Sequence, residues 1–271
     1  MSVLDEILAH KRAEIAQERR EQSSAAVRAA AESMPRPLDF IAALRGAAGR
    51  PALIAEVKQK SPSRGVLAVG FDPLRLARLY RQNGAACVSV LTDERFFGGS
   101  LAHLRQIRDA EPTLPLLRKD FICDLYQVYQ ARAAGADAIL LIVAALEAGL
   151  LRDLHALAAG LGMAVLVEIH TAAELEMALT CRPSLIGVNN RDLHNFTVDL
   201  ATTERLARAI PAEICAIAES GIHGPADVAR LAAIPRPGGA TGVDAILVGE
   251  ALVAATDIAG QVRRLAGRPD E

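Results

Sequence analysis

The chain has 271 residues, with 30 lysines and arginines against 32 aspartates and glutamates, a formal net charge of −2. This balance gives no electrostatic basis for binding nucleic acid or an anionic membrane. Apolar residues make up 51% of the chain and aromatic residues only 3%, so we expect a core of alanine, leucine, valine and isoleucine, which is typical of a buried parallel sheet.

The cysteines and the apolar segments indicate the cellular compartment. Cys87, Cys123, Cys181 and Cys215 are far apart and form no CxxC pair, which favours free thiols in a reducing environment. The N-terminal segment is too charged for a signal peptide, and the longest apolar stretch, 138–146, is about half as long as a membrane span. We therefore expect a cytoplasmic protein without membrane or nucleic-acid partners, either a monomer or a weak homo-oligomer.

The elements can be predicted in chain order from the hydrophobic spacing. Residues 1–45 predict helix, since apolar residues recur there near a 3.6-residue period, and Pro35 and Pro37 divide the segment into two pieces. From Pro51 onward, strand-like and helix-like segments alternate, which predicts βαβ units and a parallel sheet. The predicted strands are 52–57, 86–91, 114–119, 137–143, 163–168, 184–189, 213–218 and 243–248. The predicted helices between them are 72–82, 100–110, 124–134, 147–160, 171–180, 199–209, 225–233 and 250–265.

Eight such units in series favour a closed barrel over an open sheet. A (β/α)8 barrel takes about 250 residues, and no GxGxxG turn of the Rossmann type follows a strand. The sequence therefore predicts an α/β fold, a (β/α)8 TIM barrel, as one domain over 1–271. Residues 1–48 would form an N-terminal helical extension.

Charged residues stand at the carboxyl ends of four predicted strands: Glu56 and Lys58, Lys119, Glu168 and Glu219. A charged side chain is rarely buried unless it is paired or functional. In a barrel the carboxyl ends of the strands meet at one mouth, where active sites lie. We therefore expect these side chains to converge, close enough to shift one another's pKa and transfer protons. For each charge the alternative is a structural ion pair at the rim.

Glycine-containing loops follow the last two predicted strands, as Ser220-Gly221 and Gly249-Glu250. Loops at these places bind phosphate in many barrel enzymes, because glycine lets backbone N–H groups approach an anion closely. Ser61, in the loop after the first strand, is a third candidate donor. Ordinary turns are the alternative at these positions.

Two further loops carry candidate binding residues. Asn189 ends the sixth predicted strand and can orient polar substrate groups, while Arg191 can hold a carboxylate or phosphate. Phe97 lies in the loop after the second strand and can cover a flat ring. An asparagine-rich turn and a hydrophobic plug are the alternatives. The six histidines show no HxH or HExxH spacing, so we expect no metal, and we expect surface or support roles for His170 and His223.

Seven segments, in this order on successive strand ends, resemble the indole-3-glycerol phosphate synthase family of tryptophan biosynthesis: IAEVKQKSPSRG, VLTDERFFGGS, LLRKDFICD, VEIH, GVNNRDL, AESGI and ILVGEALV. The resemblance covers nearly the whole chain. It implies conversion of 1-(2-carboxyphenylamino)-1-deoxyribulose 5-phosphate to indole-3-glycerol phosphate, with release of CO₂ and water. It also implies that no metal or organic cofactor is needed.

The resemblance further implies a role for each site residue. Lys119 would be the general acid for ring closure, Glu168 would assist the later proton transfer and dehydration, and Lys58 would be a second essential lysine. The remaining implied roles concern binding: Glu56 and Glu219 hold the lysines and substrate hydroxyls, Asn189 and Ser220 contact the intermediate, Ser61, Gly221 and Gly249 cradle the phosphate, Phe97 covers the ring, and Arg191 contacts an anion. Glu250 stands next to Gly249 in the same candidate phosphate loop.

Three other functions are compatible with a phosphate-binding barrel. A phosphoribosylanthranilate isomerase would be expected to carry a cysteine or aspartate base and an aspartate acid, where this chain has Glu56, Lys58, Glu168 and Asn189. An aldolase would form a Schiff base on a lysine, which borohydride traps. A catalytically silent barrel is disfavoured, because converging buried charges cost stability without a function to maintain them.

Overall fold

The structure, a computed structural model, describes residues 2–61, 65–66, 70–192 and 197–268. Eight parallel strands pair in chain order, and the last pairs with the first to close a barrel. These strands are β1 (Ala52–Val57), β2 (Cys87–Leu91), β3 (Leu116–Lys119), β4 (Ala138–Ile142), β5 (Ala164–Ile169), β6 (Leu185–Asn189), β7 (Cys215–Glu219) and β8 (Ala245–Val248). The predicted (β/α)8 barrel with an N-terminal helical extension is confirmed.

Helices surround the barrel and precede it. The extension comprises α1 (Val3–Glu21), α2 (Ser24–Ser33) and α3 (Phe40–Arg45). The helices that follow are α4 (Pro73–Gln82), α5 (Glu94–Phe97), α6 (Leu101–Ala110), α7 (Leu125–Ala133), α8 (Ala148–Gly160), α9 (Ala172–Leu179), α10 (Ala201–Ala207), α11 (Pro225–Ala232), α12 (Glu250–Val253) and α13 (Ile258–Leu265). Short 3-10 turns occupy Val143–Ala145 and Pro237–Gly239. Within the described ranges, no helix combines the length and the apolar character that crossing a membrane requires.

The structure differs from the predicted elements in four places. The extension breaks a second time at Ser23, whose side chain accepts a hydrogen bond from the N–H of Ala26 and caps α2. The predicted last helix, 250–265, is divided into α12 and α13. Asp257 begins α13, since its side chain accepts a hydrogen bond from the N–H of Gly260. Helix α5 and a short hairpin of Lys60–Ser61 with Gly65–Val66 were not predicted.

The barrel interior changes from apolar to charged along its axis. At the amino end of the strands, Phe40 and Leu44 of α3 pack against an inner cluster that includes Ala52, Cys87 and Leu117. Side chains alternate between the two faces of a strand, so Glu56, two residues beyond the inward-facing Ile54, also points inward. The strand register therefore brings the charged strand ends together at one mouth of the barrel. The apolar cluster around Phe40 and Leu44 fills the opposite end.

The extension is attached to the barrel by polar contacts as well as apolar ones. The N–H of Leu38 donates to Asp137 Oδ1 at 2.8 Å, and the hydroxyl of Tyr126 donates to the carbonyl of Gln22 at 3.0 Å. Lys11 of α1 is buried, with its Nζ atom 3.1 Å from Asp120 Oδ1 in the loop after β3. The contact of Leu38 fixes the extension at the amino end of β4, and the contacts of Lys11 and Gln22 hold α1 against the barrel.

Candidate active site

A cavity of about 430 Å³ opens at the carboxyl ends of the barrel strands. Twelve predicted site residues line it: Glu56, Lys58, Phe97, Lys119, Glu168, Asn189, Arg191, Glu219, Ser220, Gly221, Gly249 and Glu250. The side chain of Ser61 lies outside the part of the chain that the structure describes. Residues from seven separate strand ends or loops thus reach one chamber, although they are far apart in sequence.

Lys119 lies between two carboxylates at the end of β3. Its Nζ atom is 3.3 Å from Glu219 Oε2 and 3.5 Å from Glu168 Oε2. Burial by itself would lower the pKa of Lys119, but the negative charges of Glu219, Glu168 and Glu56 outweigh burial and raise it. The lysine is therefore an ammonium at neutral pH, and it faces a chamber where it can donate to a substrate oxygen.

A second ion pair stands at the end of β1. Lys58 Nζ is 2.5 Å from Glu56 Oε1. Burial opposes ionisation of Glu56, but the charges of Lys58 and Lys119 outweigh it and lower the pKa of Glu56. A Cβ at Gly249 would lie 2.5 Å from Glu56 Oε1, so a glycine is required there for the carboxylate to occupy its position.

The pKa of Glu219, at the end of β7, is raised, whereas that of Glu56 is lowered. Burial raises the pKa of Glu219 to about 8, and repulsion from Glu168 adds to this rise against the attraction of Lys119. Its carboxyl group therefore carries a proton through much of the neutral range. A Cβ at Gly187 would stand 2.1 Å from Glu219 Oε1, so the glycine in β6 creates the space that this carboxyl fills.

Glu168, at the end of β5, is the ionised partner of this carboxyl pair. Burial opposes its charge, but Lys119, His170 and a 3.2 Å hydrogen bond from Asn189 Nδ2 outweigh burial and lower the pKa of Glu168. Two neighbouring carboxyl groups with pKa values shifted in opposite directions supply an acid and a base in the same chamber. Proton transfer is the chemistry that this arrangement supports.

The two asparagines after β6 have different positions. Asn189 faces the cavity, and its Oδ1 accepts the backbone N–H of Arg191 at 3.0 Å. Asn190 is buried outside it, where its Nδ2 donates to the Glu219 carbonyl and its Oδ1 accepts from Thr203 Oγ1 at 2.8 Å. Asn190 therefore fixes the backbone that carries Glu219, a structural role that the sequence does not distinguish from that of its neighbour.

The loop after β7 presents backbone to the cavity. Ser220 and Gly221 both have positive φ, 65° and 77°, a conformation in which successive N–H groups turn toward one side. Among the described residues, the Gly221 N–H has no acceptor. On the same side, Arg191 Nη2 lies 3.6 Å from Glu250 Oε2. An anion could be held between this loop and the guanidinium group.

Apolar side chains form the remaining wall. Phe97 and Phe121 lie with ring centroids 5.9 Å apart, and Val3, Leu4 and Ile7 of α1 complete the lining. Sequence reasoning found Phe97 but missed the contribution of α1, because an amphipathic helix does not reveal which surface it covers. The position of Phe97 had a detectable signal, since Asp93 Oδ1 accepts from the N–H groups of Phe96 and Phe97 as a helix cap.

Within the described ranges, no group of three or more histidine, cysteine, aspartate or glutamate side chains is arranged to hold a metal ion.

The family model and the relatives found by sequence agree on one family. The family model described as indole-3-glycerol phosphate synthase matches residues 4–265. A protein of this name from Roseiflexus sp. strain RS-1 is 55% identical, with 98% of each chain covered, and one from Albidiferax ferrireducens is 51% identical, with 94% of each covered. The crystal structure of KGPDC from Streptococcus mutans aligns with a TM-score of 0.61 at 12% identity, covering 80% of this chain and 96% of that one. So remote a likeness shows only the fold.

The family match extends over the extension, the barrel and every described strand end of the cavity. It agrees with the seven sequence segments that carried the resemblance. The chain belongs to the indole-3-glycerol phosphate synthase family.

Proposed function

We propose that this cavity closes the indole ring, converting 1-(2-carboxyphenylamino)-1-deoxyribulose 5-phosphate to indole-3-glycerol phosphate, CO₂ and water. The observation that carries the proposal is the position of Lys119. Its ammonium group is held between Glu168 and Glu219 in a chamber that also has aromatic and aliphatic walls. A largely buried ammonium group that is protonated before the reaction suits a step that builds negative charge on an oxygen.

Lys119 acts in the first step. As the aryl carbon attacks the ketone carbon of the substrate, the ketone oxygen gains electron density and takes a proton from the ammonium. Water is largely excluded from the chamber, so the attraction between ammonium and oxygen is stronger than in bulk solvent. Loss of CO₂ from the ring carbon that carries the carboxylate then returns the bonding electrons to the ring.

Glu168 and Lys58 act in the dehydration. The hydroxyl formed from the ketone must leave as water, and a proton must be removed from the adjacent carbon next to nitrogen to form the double bond of the indole ring. Glu168, ionised at neutral pH, is suited to take that proton. Lys58, paired with Glu56, is suited to donate to the departing hydroxyl. Glu219, with a pKa raised by burial to about 8, donates hydrogen bonds to the substrate hydroxyls or to Glu168.

Substrate binding is divided between the two sides of the cavity. The phosphate is bound by backbone N–H groups of the loops at Gly221 and Gly249, with the Ser220 loop in its positive-φ conformation and with Ser61 and Arg191 as further donors. The carboxyphenyl ring lies against Phe97. This arrangement places the sugar carbons between the two lysines, and Asn189 and Glu250 complete the polar lining.

An aldolase that uses a Schiff base is the nearest alternative within the same fold. A Schiff-base lysine must lose its proton to attack a carbonyl, but the carboxylates around Lys119 raise its pKa and keep it protonated. Borohydride should therefore leave the protein unmodified in the presence of substrate. A covalent adduct on Lys119 or Lys58 in a mass spectrum would overturn the proposed mechanism.

The decisive experiment follows indole formation by fluorescence or absorbance from the synthetic carboxyphenylamino sugar phosphate. Turnover by the wild-type protein and none by Lys119→Met would support the proposal. Growth of an indole-requiring, synthase-deficient strain on expression of the wild-type chain is the complementary test. A wild-type protein that is folded but yields no indole product would contradict it.

The wider setting follows from this substrate. A small phosphorylated metabolite does not cross membranes, so we propose a cytoplasmic enzyme that acts on a diffusing substrate, with no nucleic-acid partner. We propose a monomer or a weak homo-oligomer. Light scattering of the purified protein at micromolar concentration would measure that state.

A further inference from the structure

His170 stands behind Glu168 and outside the predicted site. Its Nε2 atom lies 3.5 Å from Glu168 Oε1, and its side chain is 12% exposed. It does not line the cavity. Glu168 therefore contacts Lys119 through Oε2 and faces His170 through Oε1, so the imidazole approaches the carboxylate from the side opposite the lysine.

Glu174, in the first turn of α9, holds the histidine in one orientation. Its Oε2 atom accepts the backbone N–H of His170 at 2.8 Å and stands 3.2 Å from His170 Nδ1. The N–H of Glu174 donates to Thr171 Oγ1, which caps the helix. The bend between β5 and α9 thus fixes the imidazole ring, with Nδ1 toward Glu174 and Nε2 toward Glu168.

This geometry determines where the protons lie. An ionised carboxylate accepts hydrogen bonds and cannot donate them, so Nδ1 carries the proton that it donates to Glu174. A neutral ring would then turn the Nε2 lone pair toward the Glu168 carboxylate, and two electron-rich atoms would face each other. A proton on Nε2, or on Glu168 Oε1, removes this conflict. The pair therefore holds one proton between its two atoms.

The charged groups around this pair come from several elements. Glu168 faces Lys119 of β3 and Glu219 of β7, and it receives a hydrogen bond from Asn189 of β6. Glu56 of β1 lies within electrostatic range of Glu168. His170 faces Glu168, Glu174 and, at longer range, Glu219. The 3-10 turn Val143–Ala145, which packs against β5 and α9, carries no titratable side chain.

We infer that His170 and Glu174 act together as positioning residues for Glu168, with the imidazolium holding Oε1 so that the carboxylate stays ionised and keeps Oε2 directed at Lys119. The inference rests on the proposed function for its kinetic meaning. Burial opposes the charge on His170, but the hydrogen bond to Glu174 and the charges of Glu168 and Glu174 outweigh burial and raise the pKa of His170. The imidazolium in turn contributes to the lowered pKa of Glu168.

The first test needs no enzymatic activity. The ¹⁵N chemical shifts of the imidazole rings are recorded against pH, and the His170 signals are identified as those lost in His170→Gln. We expect a doubly protonated ring at pH 7, and a midpoint that falls by about one pH unit when Glu174→Gln removes a neighbouring charge. Glu176→Gln, an exposed change on the same helix, is the matched control and should leave the midpoint in place. A neutral ring at pH 6, or equal midpoints in both variants, would overturn the inference.

The second test follows kcat against pH. Glu168 must be ionised to act as a base, so loss of the imidazolium should move the acidic limb of the profile upward by about one pH unit in His170→Gln. We expect a smaller upward shift in Glu174→Gln and none in Glu176→Gln, with KM for the sugar phosphate within about twofold throughout. His170→Gln retains a hydrogen-bond donor, so kcat above the limb should fall by less than about tenfold.

The outcomes separate the inference from the proposed function. An equal fall of kcat at every pH would indicate a merely structural role for His170 and would refute the positioning role. If the wild-type protein forms no indole product, the proposed function fails, but the titration of His170 against Glu174→Gln still decides whether the histidine is held as a cation beside Glu168.

Discussion

Lys11, which is buried, and Lys119, which is largely buried, lie in neighbouring charge clusters. The pKa values of carboxyl groups in the two clusters are shifted in opposite directions. The outer ion cluster joins Lys11 of α1 to Glu14, Asp93 and Asp120, with Nζ–O distances of 2.8, 3.0 and 3.1 Å. In the site cluster, Lys119 stands 3.3 and 3.5 Å from its carboxylates and faces a cavity. Lys119 and Asp120 are adjacent in sequence and both line the cavity, yet their side chains belong to different ion clusters.

The carboxyl groups of the two clusters differ accordingly. Burial opposes the charge of Asp120, but Arg118 and Lys11 outweigh it and lower its pKa to about 2, assisted by a 2.6 Å hydrogen bond from Thr92. Burial raises the pKa of Glu219 to about 8. The neighbouring charge of Glu168 adds to this rise, and the one lysine that the two groups share, Lys119, does not cancel it. A cluster with short contacts to cations fixes charges and supports structure. A carboxyl group that shares its lysine with a second carboxyl group beside open space leaves protons free to move, which is what catalysis requires.

The largest expected effect is a loss of activity when the lysine of the site cluster is replaced. Lys119→Met removes the proposed acid, so we expect kcat to fall by about 10³-fold or more, while binding of indole-3-glycerol phosphate changes little. Stopped-flow fluorescence of product binding, alongside the indole assay, measures both quantities. Near-normal turnover in this variant would end the assignment of Lys119 as the acid.

The complementary change belongs in the outer ion cluster. Lys11→Met leaves Asp93 without its buried cation and Asp120 with Arg118 alone, so we expect the free energy of unfolding to fall by about 3–5 kcal/mol. Lys11 does not line the cavity, so turnover per folded molecule should fall by less than about tenfold. Urea denaturation measures the first quantity and active-site titration the second. If stability is unchanged and kcat is abolished, the division between the two clusters is wrong.

Gly187 tests the space that the site cluster requires. In Gly187→Ala the new methyl group would overlap Glu219 Oε1, so the carboxyl must move; we expect kcat to fall by about 10²-fold, as when a group is misplaced by about 1 Å. The control is Gly160→Ala at the end of α8, where a Cβ meets no atom within 4 Å. Thermal melts of both variants, run with the indole assay, show whether the loss comes from positioning or from unfolding.

The smallest expected effect is a change in pH dependence. Because the pKa of Glu219 is raised from 4.5 to about 8 on folding, the folded state binds more protons than the unfolded state between these values. The contribution of Glu219 to stability is therefore complete at low pH and is lost as pH rises through 8, by at most about 1.4 kcal/mol per pH unit. We expect Glu219→Gln to flatten the unfolding free energy between pH 5 and pH 8, as measured by urea denaturation. An unchanged slope would show that the folded carboxyl titrates normally.

Asp120→Asn provides the opposite sign in the outer ion cluster. The pKa of Asp120 is lowered from 3.8 to about 2, so its contribution to stability is present above 3.8 and is lost as pH falls toward 2. The variant should be destabilised at pH 7 and should lose part of the acid sensitivity below pH 4.

The barrel and most of the site could be predicted because their signals are local. A charge that directly follows an apolar run, as at Glu168 or Glu219, marks a strand end, and parallel strands in a barrel bring those ends together. The observed strands begin and end within two residues of the predicted positions. Family resemblance supplied the roles that position alone does not give.

The features that were missed depend on contacts between distant segments. Lys11 lies in the sequence HKRAEI among other charges, and only the approach of Asp93 and Asp120, more than 80 residues away, shows that it is buried. Gly187 matters because a carboxyl from another strand occupies the space beside it. His170 has its Glu174 partner four residues away, but the sequence does not show that its ring also reaches Glu168.

The helix α1 has a consequence for biosynthesis of the protein. The cavity wall extends from Val3 to Ala251, so a ribosome-bound chain in which the segment up to Ala251 has not yet folded has no complete chamber. Substrate can therefore stabilise only molecules that have folded this whole segment, by mass action on the folded state. Nascent chains must reach the native barrel without help from the ligand that later protects it.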